Sequence, residues 1–247
     1  MVAGSLCPVW PALLPVGDNP ITGTTVAAQP ALAGAILEDT FTPYDFSGAG
    51  GHLTGQVESR VVRSSLTGTL DFYWRVIPDA TSIGDIYAFR IGIFAGVLDA
   101  NWRSDDSGNV APQIARHFGG GYVNYLFSEV GPGVGPSDSS RFFFLSTDTT
   151  AYARVGIYDL LSTPGDAVSP LFRTFAPVPT LSVTPSDNSS IQVAWTTTFP
   201  DYSLEATASL AVPNWEPVMH SIAIESDRFI VRLPTIGVQR FFRLRRP

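Results

Sequence analysis

In Leu70-Asp71-Phe72-Tyr73-Trp74-Arg75-Val76 every second residue is large and apolar. A period of two belongs to an extended strand, whose successive side chains leave on opposite faces. It sends Leu70, Phe72, Trp74 and Val76 to one side and Asp71, Tyr73 and Arg75 to the other. Tyr87, Phe89, Ile91 and Ile93 share a face for the same reason. Further strands are expected over 56–63, 110–118, 121–127, 141–147, 154–160 and 171–175, with Pro, Gly and Asp between them. A parallel α/β sheet needs amphipathic crossover helices, and the sequence shows none. The chain is therefore expected to be all-β, with residues 40–177 forming a two-sheet β-sandwich of jelly-roll or immunoglobulin-like type.

A short Pro-bearing linker, Phe175-Ala176-Pro177-Val178-Pro179, precedes a second pattern. There Ile191, Val193 and Trp195 face one way, Phe229, Val231 and Leu233 do the same, and Phe242 and Leu244 close the series. These short strands predict a smaller immunoglobulin-like sandwich over 178–247. Residues 1–39 form an apolar arm almost without charge before Glu38 and Asp39. A strand is expected at Ile21–Val26, and a strand or short helix at Ala31–Leu37. Such an arm must dock on something, either its own sandwich or the open sheet edge of a neighbour.

All fifteen basic residues are Arg, which excludes Schiff-base and P-loop lysine chemistry. A net charge of −7 opposes a nucleic-acid partner, which needs clustered cations. The one basic cluster is Arg240, Arg243, Arg245 and Arg246, read as the outer face of a last strand. No apolar run is long enough for a transmembrane helix. Cys7 has no internal disulfide partner, Leu6 before it argues against a lipid anchor, and no signal peptide is recognisable.

The run Gly55-Gln56-Val57-Glu58-Ser59-Arg60-Val61-Val62-Arg63, the strand Gly68–Val76 and the segment Ser140–Tyr152 resemble the exported β-sandwich domains of PEP-CTERM-type bacterial surface proteins. The closing Arg240-Phe241-Phe242-Arg243-Leu244-Arg245 is similar to the C-terminal modules of large secreted proteins from planctomycete- and verrucomicrobia-like bacteria. The Pro-Glu-Pro sorting tail of the first group is missing. These resemblances imply an extracellular or cell-surface location, a structural or adhesive role, and partners among surface or matrix components. They bring no catalytic residue.

His52, His117 and His220 are scattered without metal-ligand spacing, and no Gly-x-Ser-x-Gly elbow occurs. Paired carboxylates at glycosidase spacing are not apparent either, so the chain reads as non-enzymatic. In Asp105-Asp106-Ser107-Gly108-Asn109, the residues Asp105, Ser107 and Asn109 alternate as in a calcium loop, without its terminal Glu. A hairpin turn explains the same residues. Calcium is thus the one cofactor to consider. Trp102 and Arg103, expected to be exposed beside that loop, are the candidate glycan platform, whereas Trp74 and Trp195 fall on core faces. Two roles follow as expectations: a structural protein that assembles into a homo-oligomer or filament through its arm, or a glycan-binding accessory module.

Overall fold

The computed structural model describes residues 13–48, 51–128, 132–162, 167–187, 189–235 and 239–246. The chain divides into two compact units, Met1–Pro177 and Val178–Pro247. Both are built from antiparallel strands, and no α-helix occurs among the described residues. Cys7 and Trp10 lie outside them.

The larger unit contains β1 (Gly17–Pro20), β2 (Gly34–Gly48), β3 (Gly51–Ser64), β4 (Leu70–Pro78), β5 (Ile86–Gly92), β6 (Val97–Trp102), β7 (Ile114–Gly119), β8 (Tyr122–Leu126), β9 (Phe143–Thr147), β10 (Tyr152–Ser162) and β11 (Phe172–Pro177). Five strands form one sheet in the order β2-β3-β4-β9-β6, and six form the other in the order β1-β7-β8-β5-β10-β11. Their facing sides make one core. Phe72, Trp74 and Phe143 from the first sheet meet Phe89, Tyr125 and Tyr158 from the second, all buried. Ring centroids lie 5.7 Å apart for Trp74 and Phe89 and 4.6 Å apart for Tyr125 and Phe143, within the range of favourable aromatic contact. Two polar ends are satisfied: Trp74 Nε1 donates to Thr174 Oγ1 at 2.9 Å, and the Tyr125 hydroxyl donates to the Phe144 carbonyl.

The period-two reading of 70–76 places Leu70, Phe72, Trp74 and Val76 in this core, as found. Its opposite face is not solvent. Tyr73 packs outward with Val62, Phe142 and Phe144 into a second small cluster, closed from above by Leu32. That is why Phe142-Phe143-Phe144 is apolar without alternation: β9 and its lead-in are buried on both faces.

Three expectations need correcting. Ile21–Val26 is not a strand, apart from one isolated bridge between Thr24 and Arg103. The boundary expected after Asp39 falls inside β2, which continues to Gly48 and pairs with β3 throughout. Strand β7 begins at Ile114, not Val110, because Pro112 has no N–H to give a ladder. The segment Ala31–Leu37 is divided: a 3-10 turn at Pro30–Leu32, then the start of β2.

The smaller unit contains β12 (Ser182–Asp187), β13 (Ser190–Thr196), β14 (Ser203–Thr207), β15 (Glu216–Pro217), β16 (Ala223–Glu225), β17 (Arg228–Pro234) and β18 (Phe241–Arg245). One sheet has the order β12-β13-β17-β16 and the other β15-β14-β18. Val193, Trp195, Leu204, Val231 and Leu233 form its buried core, so Trp195 is a core residue as its phase requires.

Candidate functional site

Of the residues singled out at 102–109, Trp102, Arg103 and Asp105 meet the chain's own N-terminal segment. After β1 has paired with β7, the chain leaves the six-stranded sheet and crosses to the outer face of the five-stranded one. There residues 23–29 lie against β6 and the loop that follows it, and Leu32 lies over β3, β4 and β9. The Gly23 N–H donates to Asn101 Oδ1 at 2.9 Å, the Thr24 N–H to the Trp102 carbonyl at 2.9 Å, and the Val26 N–H to Asp105 Oδ2 at 2.9 Å. The Ser104 N–H returns a bond to the Thr24 carbonyl at 2.8 Å. These contacts form a latch that holds the arm.

Trp102 is not an open platform. It is half-buried and packs against the main core, and its ring covers Gly23. A Cβ at residue 23 would lie 2.5 Å from the indole, and φ there is +81°, so both space and backbone demand glycine. Arg141 sits 5.6 Å from the Trp102 ring centroid.

The acidic loop is equally engaged. Asp105 Oδ1 accepts from Arg103 Nε at 2.6 Å, and this guanidinium holds the Asp105 carboxyl below the usual carboxylate range. Asn109 Nδ2 donates to Asp138 Oδ1 at 2.6 Å, while Asn109 Oδ1 accepts from the Ser139 N–H at 2.9 Å. The Ser107 N–H donates to Asp106 Oδ1 at 2.8 Å, as in a tight turn. Asp105 and Asn109 therefore face different partners. Among the described residues, no group of three His, Cys, Asp or Glu side chains is placed to hold a metal ion.

Two acids contribute beyond the residues expected from sequence. Asp99 accepts from Gln29 Nε2 at 3.5 Å, and Asp71, only 4% exposed, lies on the covered face of β4. Burial, reinforced by Asp99, pushes the Asp71 carboxyl up to about 6, with Ser146 and Arg103 opposing. The raised folded-state value means that folding favours the protonated acid. Its contribution is fully present below the ordinary value of 3.8 and is lost as pH rises through about 6. Asp71→Asn is expected to raise stability at pH 7 by about 2–3 kcal/mol and to leave it nearly unchanged at pH 4. Urea titrations of both proteins at the two pH values check this, and an equal difference at both would refute it.

The apolar half of the latch rests on Leu32, 2% exposed over Val62, Tyr73, Phe142 and Phe144. Leu32→Ala is expected to cost about 2–3 kcal/mol. It should also increase proteolysis between residues 20 and 33 more than elsewhere in the larger unit. Mass spectrometry of timed digests reads this directly.

Two histidines and three of the terminal arginines have structural partners. His52 Nε2 contacts Asp45 Oδ1 at 2.6 Å, and His117 Nδ1 the Leu14 carbonyl at 2.9 Å. Arg243 and Arg245 both reach Glu205, at 2.7 and 3.2 Å, and Arg246 reaches Asp201 at 3.3 Å. Arg243 and Arg245 therefore form the outward face of β18 and are neutralised by Glu205, while Arg240 and Arg246 flank the strand. Comparison of the chain with protein-family models, with curated proteins and with solved structures returns no match. No helix among the described residues is long and apolar enough to cross a membrane.

Proposed function

We propose that this chain is a non-enzymatic structural component of a bacterial cell surface or extracellular matrix, able to assemble with copies of itself. The observation that carries the reading is the latch. Trp102, Arg103 and Asp105, the residues best suited to a ligand, are spent on clamping the N-terminal segment across both sheets of the larger sandwich. A clamp of this kind protects sheet edges and adds cohesion, which suits a building unit. The sequence resemblance to exported surface domains supports the same location and role.

The described part of the arm, residues 13–39, pairs within its own chain. Assembly then proceeds through other surfaces, or through exchange of the arm. Electron microscopy of the purified full-length chain tests the reading: fibres, sheets or layers are expected. A protein that stays monomeric at high concentration and binds a defined glycan on an array would overturn it in favour of an accessory binding module.

A further inference from the structure

We infer that a cleft in the smaller unit receives the acidic edge strand β2 of a second copy. This rests on the assembly reading above and names the surfaces that would carry it. The cleft has a volume of about 400 Å³ and lies beside the end of β14. Val212, Pro217, Val218 and Met219 supply its apolar walls, and His220 and Arg240 its basic ones. Met219 is 90% exposed and Val212 82%, and Leu210, Ile222 and Ile224 are also open to solvent nearby. Two of these five exposed aliphatic residues, Val212 and Met219, line the cleft itself, and exposed apolar side chains gathered at a cleft mark a protein interface.

Charge selects the kind of partner. Five of the six arginines in this unit have hydrogen-bond or ion-pair partners, namely Arg228, Arg232, Arg243, Arg245 and Arg246. Arg240 has none among the described residues. The one acid in the cleft, Glu216, already accepts from Asn214 Nδ2 at 2.9 Å. The site is therefore suited to an aliphatic side chain followed closely by a carboxylate.

The first half of β2 carries this combination. Ile36 and Phe41 are more than half exposed and Leu37 is 37% exposed, with Glu38 and Asp39 between them. Arg60 contacts only Oδ2 of Asp39, which leaves Oδ1 for another cation. The strand is also an edge, with β3 as its sole neighbour in the sheet. Pro43 and the irregularity between Ile36 and Glu38 interrupt its free backbone, so recognition falls on side chains and not on a long added ladder. The contact joins two different surfaces of one chain. Repeated head to tail, it gives a ring where the rotation closes and an open filament where it does not.

Sedimentation velocity of the full chain over a dilution series tests this with R240E, D39R and their equimolar mixture. Thermal melts first confirm that each variant is folded. Met219→Asp is the second cleft variant, and it does not touch charge pairing elsewhere. Wild type should assemble with rising concentration, and each single variant should need at least about tenfold more protein, the equivalent of 1.4 kcal/mol. The mixture should recover wild-type assembly, because the reversed charges then meet. If wild type assembles and R240E and M219D do so equally well, the cleft is not the contact, while the assembly reading stands. A mixture that fails to recover also overturns the pairing with β2. If wild type never assembles, both readings fall.

Discussion

Trp74→Ala lowers the stability of the larger unit by about 4 kcal/mol or more. The side chain is 1% exposed and touches Phe89, Phe94 and Phe143 with ring centroids 5.4–6.2 Å away. Truncating a buried aromatic residue costs about 3–5 kcal/mol through lost transfer energy and the cavity left behind. The indole also donates to Thr174 Oγ1, so its removal strands a hydroxyl that is itself buried. That adds about 1 kcal/mol or more. Trp74→Phe separates the two effects, since it keeps much of the ring and loses the N–H. Urea unfolding followed by circular dichroism reads both variants. Because the chain holds two units, the transition of each must be resolved before a free energy is assigned. A Trp74→Ala protein as stable as wild type would contradict the core assignment.

Glu58→Ala should be comparably damaging for a different reason. Glu58 is 3% exposed on the outer face of the five-stranded sheet. It accepts from Arg60 at 2.9 Å and pairs with Arg75 at 2.6 Å. Both guanidiniums lie over the Phe142 ring, 4.4 and 5.0 Å from its centroid. Removing the carboxylate leaves two cations close together over an aromatic floor, with Asp39 and, at 3.9 Å, Asp106 as the remaining acids on Arg60. Breaking a buried pair by deleting one partner costs about 3–5 kcal/mol. Glu58→Gln keeps one acceptor and the side-chain volume, so it should fall between Ala and wild type. If Ala and Gln cost the same small amount, the network contributes little beyond packing.

The alternating strands were legible because burial imposes period two on any sheet with one wet face. Leu70 to Val76 shows the limit of that rule. Its inner phase reads correctly, but Asp71 and Tyr73 look solvent-facing, and nothing local says that Leu32 covers them. The cover comes from a segment about forty residues away whose own pattern is irregular, and two-residue periodicity carries no information about it. Strand β6 was missed for a related reason. Asp99 and Asn101 break its apolar phase because they serve the arm rather than water or core. Trp102 and Arg103 stood out in the sequence as a candidate glycan platform, and Asp105 as a candidate calcium ligand. Their partner turned out to be another part of the same chain, which a sequence shows only as two separate oddities.

The latch also sets an order of events during synthesis. Val26 meets Asp105 across 79 residues, Gly23 meets Asn101 across 78, and Asp18 meets Arg116 across 98. A nascent chain makes the arm long before its receptor exists, whereas the hairpin of β2 and β3 closes through neighbouring residues. Contacts at such separation carry the largest loop-closure cost and form late. The arm is thus made early and docks near the end of folding. Until then Leu32 and the Phe142–Phe144 face remain uncovered, and this interval, more than the finished sandwich, is when the chain is most vulnerable to sticking to its neighbours.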